Sequence, residues 1–256
     1  MALLTDGNPN DSEALEVYES SILSVANVES INLDVKLRLA TEEVSQDILD
    51  VLIEHTLTIG DQAQMRRRIG VSDVVVSAPM KRWHALHTLD TFYRDAYNNQ
   101  LNDRYRLKWE EYQKLGRDAR EQTLRYGIGL VLKPLPTPGA PQFGIAAGQT
   151  ASTTYYVQGT WVSATGEESA PSRLTTYTTV DGSLLTVLLP NPPAAATGWN
   201  AYVSMNVQPP ALQNSTPMAL GSLFTLAAAG VAVGRRPGDG QYPNLFITGG
   251  RTLMRG

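Results

Sequence analysis

YYVQGTWVSATGEESAPS (residues 155–172) alternates Tyr156, Gln158, Thr160 and Val162 with Tyr155, Val157, Gly159 and Trp161, then breaks on a polar turn. Side chains on a strand point alternately to its two faces, so this run predicts a β-strand. ATGWNAYVSMN (196–206) predicts another. There Gly198 supplies a turn, Tyr202 and Ser204 share one face, and Trp199, Ala201 and Val203 share the other. Trp199 reads as a core plug rather than a ligand platform. RLTTYTTV (173–180), LLTVLLP (184–190) and TPMALGSLFTL (216–226) add further short strands, separated by DGS and PPAAATG turns. Short strands with regular turn signals predict an all-β sandwich over residues 145–236.

The first half follows a different pattern. Residues 1–132 carry 21 acidic and 15 basic residues, whereas residues 133–256 carry 4 and 6. Such a shift predicts two domains. The expected organisation is a helical domain over 1–132, a proline-rich linker at KPLPTPGAPQFG (133–144), the β-domain over 145–236 and a tail over 237–256.

Asp11 or Ser12 is placed to cap a helix carrying Leu15, Tyr18, Ile22 and Val25. A second helix follows Asn32, with Thr41 as a candidate break, a buried stripe of Val44, Ile48, Val51 and Leu52, and an end at Gly60. SDVVVSAP (72–79) reads as a short strand or an extended loop stopped by Pro79. From Met80 to Leu124 the only helix-breaking residue is Gly116, and Leu86, Leu89, Tyr93, Tyr97, Leu101, Tyr105, Trp109, Tyr112 and Leu115 recur at helical spacing. One helix of about 40 residues is predicted, spanning about 60 Å. Such a helix projects from its domain or packs against neighbouring chains, and its Tyr and Trp side chains suit a wet protein interface.

Candidate chemistry is sparse. The chain has no cysteine, which excludes disulfides and thiol catalysis. His84 and His87 stand three apart, at a metal-binding spacing, but no third ligand accompanies them, and packing is the expected role. No phosphate-loop or dinucleotide-binding pattern occurs. Glu110–Glu111 and Glu167–Glu168 are adjacent, so each pair points apart. No catalytic residue, metal or cofactor is expected, and no enzymatic activity. RRRIG (66–70) reads as a solvated surface run or a contact with nucleic acid or a negatively charged partner ring. The charges along 90–125 alternate in sign, which favours ion pairs between subunits over a DNA-binding face. The start of the chain lacks the basic and apolar segments of a secretion signal, and no run is long enough to span a membrane.

Two resemblances extend this reading. YYVQGTWVSATGEESAPS followed by LLTVLLPNPPAAATGWNAYVSM is similar to fibronectin type III and related immunoglobulin-like modules, with Tyr156, Gly166, Glu168, Ser169, Pro171, Leu184, Gly198 and Tyr202 in equivalent places. The order departs from that family, where the Y-x-V strand closes the module. The wider layout resembles the head-to-tail connector, or adaptor, proteins of tailed bacteriophages. That resemblance implies an α+β chain: an N-terminal helical bundle with one very long helix, plus a C-terminal immunoglobulin-like sandwich. It implies a structural protein of the virion neck, assembled in the host cytoplasm. The partners implied are other copies in a ring of about twelve, a portal protein, and tail or neck proteins. DNA would pass through the channel without sequence-specific binding. A tail or fibre component with a surface-binding β-domain, or a cell-wall hydrolase with an appended β-module, are the alternatives. The interface candidates are Tyr93, Tyr97, Tyr105, Trp109 and Tyr112 on the helix. In the tail, YPNLFITGGRTLMRG (242–256), they are Tyr242, Leu245, Phe246, Ile247, Arg251 and Arg255, as an added strand or hook for a neighbour.

Overall fold

The computed structural model describes residues 1–58, 69–205, 209–248 and 251–254, with only the backbone for 54–58 and 251–254. The Gly60 helix stop, the Arg66–Arg68 run and Arg255 lie outside the described residues. The chain forms two compact units, both discontinuous. One comprises Gly7–Leu132 and Pro243–Gly256, the other Met1–Asp6 and Lys133–Tyr242.

The first unit is helical: α1 (Ser12–Glu16), α2 (Ile22–Glu29), α3 (Leu33–Thr58), α4 (Ala78–Gln100) and α5 (Asp103–Tyr126). Asp11 caps α1 by accepting a hydrogen bond from the Ala14 amide (2.8 Å). The single first helix expected from sequence is two short ones. Ser30, in the left-handed region, ends α2, and the Asn32 carboxamide accepts from Val35 N to begin α3. Thr41 does not break α3. Its hydroxyl donates to Leu37 O one turn back, so the helix keeps its own ladder. Leu37, Ala40, Val44, Ile48 and Leu52 form the buried stripe.

Pro79 starts a helix rather than stopping a strand. It lies in the first turn of α4, where its missing N–H leaves no bond unmade, behind the Ser77 cap. The valines before it are an extended segment: Val75 N donates to Gly129 O (3.0 Å) and Val131 N to Asp73 O (2.8 Å).

The one very long helix is also corrected. It is an antiparallel pair, α4 and α5, reversed at Leu101 and Asn102. Leu101 adopts φ 50° and ends α4, and Asn102 caps α5 by accepting from Arg104 N (2.9 Å). At 1.5 Å per residue each arm is about 35 Å long, so the projecting 60 Å rod does not form. A small antiparallel sheet completes the unit, in the order β1 (Ile128–Leu130), β10 (Leu245–Thr248), β11 (Arg251–Met254).

The second unit is built on β-strands. One sheet orders β2 (Gln142–Ala147), β5 (Ser183–Leu188) and β9 (Phe224–Thr225). The other orders β4 (Thr175–Thr178), β3 (Thr154–Ser163) and β6 (Ala196–Ser204), and β6 also pairs with β7 (Ala211–Leu212) and β8 (Met218–Ala219). Trp161 stands opposite Trp199 across β3 and β6. Both indoles are buried in one cluster with Tyr155, Val157, Leu185, Val187, Ala201 and Val203.

These sheets are open, of three and five strands, and not the closed immunoglobulin-like sandwich expected. The physical reason lies in the later strands. Pro209, Pro210 and Pro217 withhold ladder donors, so β7 and β8 are cut to two residues each and flank β6 as fragments. The stretch 133–144, read as a linker, contains the buried Leu135 and the start of β2.

Candidate functional site

The α4–α5 hairpin holds all five helical interface candidates. Tyr112, Gly116, Ala119 and Thr123 recur at three and four residues and bury one stripe of α5. Tyr93 stacks on Tyr112 (centroids 5.5 Å, planes 13° apart), and Tyr97 stacks on Trp109 (6.0 Å, 22°). Tyr105 tilts against Tyr93 at 6.2 Å. The aromatic recurrence is therefore the seam between two helices of one chain. Tyr93 and Tyr112 are buried in it rather than offered to a neighbour.

Glu19, in the link between α1 and α2, ties that seam to the rest of the unit. It accepts from Lys108 Nζ (2.7 Å), the Tyr112 hydroxyl (2.8 Å) and the Ser21 hydroxyl (2.8 Å). Burial alone would raise its pKa. The three donors and the Lys108 charge outweigh it and hold the carboxyl down to about 2. Burial and the Glu19 carboxylate push the Tyr112 phenol up. Arg120 Nε donates to Asp47 (2.7 Å), Lys36 pairs with Asp95, and the Tyr105 hydroxyl donates to Glu29 (2.8 Å).

The two histidines of the metal-like spacing diverge. His84 is fully buried, with Nδ1 facing Asn10 Nδ2 (3.0 Å) and Nε2 facing Leu37 O (3.1 Å) and Thr41 Oγ1 (2.9 Å). Burial lowers it to about 4, so the ring is neutral and Nε2–H donates to Leu37 O. His87 meets Glu43 at 2.5 Å. Among the described residues no group of three or more His, Cys, Asp or Glu is arranged to hold a metal ion. Beside His84 lies a cleft lined by Asn8, Asn10, Asp11, Asp34 and Lys81.

The tail residues of this unit fold back onto their own chain. Leu245 and Ile247 are buried, opposite Leu130 and Ile128 of β1, while Phe246 is half-buried. Arg251 lies in β11 opposite Thr248. The strand expected to add to a neighbour is added within the chain. Tyr242, the last residue of the second unit, is exposed.

In the second unit the polar focus is Glu168. It accepts from the Tyr202 hydroxyl (2.7 Å), the Asn200 amide and the Arg235 guanidinium. Burial and this carboxylate push the Tyr202 phenol up. Glu167 turns the other way, accepting from Gln241 Nε2 (3.1 Å), so the adjacent pair diverges.

Sequence reasoning passed over one surface. Val35, Leu49 and Ile53, on the side of α3 away from its buried stripe, are 43, 38 and 50% exposed. Their spacing, about four and five helical turns from the first, puts them on one side of the helix, which they share with the exposed Arg38, Glu42 and Gln46. No helix among the described residues is long and apolar enough to cross a membrane. No protein-family model matches the chain, and no curated protein matches it.

Proposed function

We propose that this chain is a structural head-to-tail adaptor of a tailed-phage virion, assembling as a ring of about twelve copies between portal and tail. The observation that carries the reading is α3, whose side away from the core exposes Val35, Leu49 and Ile53. These half-exposed aliphatic side chains are where a neighbouring copy would pack. The rigid α4–α5 pair, locked by its aromatic seam and by Glu19, supplies a stiff wall suited to a load-bearing ring. The polar clusters support the same reading, since Glu19, His84 and Glu168 each spend their hydrogen-bonding capacity on holding the fold.

The test is native mass measurement with negative-stain imaging of the purified protein, alone and mixed with a portal ring. A closed ring near twelve copies is expected in at least the mixture. A trimer in both conditions refutes the adaptor in favour of a fibre component, and a monomer in both refutes both.

A further inference from the structure

We propose that the open edge of β4 is the docking surface for β4 of a second copy of this chain, the two strands pairing antiparallel across a two-fold axis at Tyr177. The contact lies within the β unit and does not rest on the ring reading above.

The run around β4 is symmetric in its chemistry. In RLTTYTTVD (173–181), threonines flank Tyr177 on both sides, then Leu174 matches Val180, and Arg173 matches Asp181 with opposite charge. A two-fold contact needs such a self-complementary surface, in which residue i meets j and j meets i. Antiparallel pairing centred on Tyr177 sets Thr176 opposite Thr178 of the second copy, Leu174 opposite its Val180, and Arg173 toward its Asp181, twice each. Arg173 and Asp181 are both exposed.

The hydrogen-bond phase of the edge agrees. β4 ends its sheet, paired with β3 alone, with Tyr177 opposite Tyr155. Thr179 N donates to Thr153 O (3.0 Å), two residues further in the same register. Bonded pairs alternate along an antiparallel ladder, so Thr175, Tyr177 and Thr179 turn their backbone groups toward β3, while Thr176 and Thr178 turn theirs to the open side. Centring the pair on Tyr177 brings these outward groups together, Thr176 with Thr178 of the second copy. A slip of one residue would oppose an outward residue to an inward one. The side chains follow the same phase. Tyr177 stacks on Phe143 of β2 (centroids 5.0 Å, planes 16° apart) and Thr179 is buried, whereas Thr176 and Thr178 are exposed. Leu174 and Val180 are 45 and 59% exposed, and the pairing covers each with the other.

This edge is also left unguarded. Exposed edges are commonly blunted by lysine, proline or a bulge, and 174–180 contains no charge or proline and pairs with β3 without a bulge. The opposite side of the same sheet is covered. Leu212 N of β7 donates to Arg235 O (2.9 Å), and the Gln213 carboxamide accepts from Ala232 N (2.8 Å) and donates to Ala232 O (3.0 Å). β2, at the end of the other sheet, is uncharged too, but its QFGIAA has no centre of symmetry. Seven residues at about 3.4 Å each make a strip about 24 Å by 10 Å. That is well short of the ~800 Å² per partner of a stable binary interface, so the pairing is reversible. Being two-fold, it is a separate contact from the head-to-tail one that a ring requires.

The test is sedimentation velocity on the full chain in a concentration series, with no portal ring present. Two variants change the exposed outward positions: Thr176→Lys with Thr178→Lys, and Thr176→Glu with Thr178→Glu. Near-ultraviolet dichroism of Trp161 and Trp199 checks that the β unit folds. The parent is expected to double in mass as concentration rises. Each variant alone is expected to associate at least about tenfold more weakly, because like charges then stand opposite one another, and an equimolar mixture of the two to regain the pairing. A parent with no reversible doubling up to about 1 mM overturns the inference. Variants that associate like the parent overturn it as well, and a mixture that does not recover overturns the pairing of β4 with β4. Each of these results leaves the ring reading standing, since that reading is tested by twelve-fold assembly with the portal.

Discussion

Glu19→Gln isolates the electrostatic part of the clamp on the hairpin. The carboxyl is held down to about 2 from an ordinary 4.5. A shift of that size corresponds to roughly 3 kcal/mol at 1.4 kcal/mol per unit. Glu19 is only 10% exposed, but Lys108 is 39% exposed. Solvent screening of that partner reduces the expected contribution to about 2 kcal/mol. Glutamine keeps the shape: its one carbonyl oxygen, in the place of Oε2, still accepts from Tyr112, and its NH2, in the place of Oε1, can donate to the Ser21 hydroxyl, so the loss reports chiefly the charge.

The pH dependence follows from the direction of the shift. A carboxyl with a depressed folded pKa adds stability that is fully present above 4.5 and is lost as pH falls through 2. The gap between parent and variant should be about 2 kcal/mol at pH 7 and less than about half of that at pH 3. Urea unfolding followed at 222 nm reads the helical unit, because helices dominate that signal. A gap under about 0.5 kcal/mol at pH 7, or one unchanged at pH 3, refutes the charge-assisted clamp. Tyr112→Phe in both backgrounds completes a double-mutant cycle, and its cost is expected to be larger in the parent than in the Glu19→Gln variant.

Three further outcomes are expected. His84, lowered to about 4 against 6.5 unfolded, makes the helical unit lose up to roughly 3 kcal/mol as pH falls from 6.5 to 4, and His84→Gln flattens that part of the urea-derived pH profile. Glu168→Ala strands the buried Tyr202 hydroxyl and the Asn200 amide and costs the β unit about 2–4 kcal/mol, measurable in the near-ultraviolet dichroism of Trp161 and Trp199. Gly127→Ala forces a side chain to φ +103° and 2.9 Å from Thr248 Cγ2, so it should cost about 1–3 kcal/mol and speed amide exchange in β10.

The strands with clean alternation were legible because their faces meet different solvents. Tyr155, Val157 and Trp161 line the cluster as their phase requires, as do Trp199, Ala201 and Val203. The hairpin was not legible as two helices, because its reversal uses neither glycine nor proline. Leu101 turns left-handed and Asn102 caps, within a run (Asn98, Asn99, Asn102, Asp103) whose short polar side chains favour helix ends. That run was the available signal, and apolar periodicity on both sides of it hid the break. The stacked rings belong to the same error: residues spaced to line one long helix also line two helices folded together. Pro79 was legible as punctuation but not in its sense, since proline serves a helix start as well as a strand end. The Glu19 clamp and the return of β10 to β1 depend on contacts between residues far apart in the chain, to which local patterns are blind.

The return of the chain gives the architecture its logic. Strands β1 and β10 form a hairpin-like pair, yet the β unit lies between them in sequence. An insertion of that length costs little loop-closure entropy when its ends are held near each other. On the β side, the buried Gln241 carboxamide accepts from Leu135 N (2.6 Å) and donates to Lys133 O (3.1 Å), joining the outgoing and returning segments. On the helical side, Asn244 accepts from Leu132 N (2.9 Å), and its own N–H donates to Leu130 O (2.8 Å). Each unit thus closes its own ends with one amide side chain.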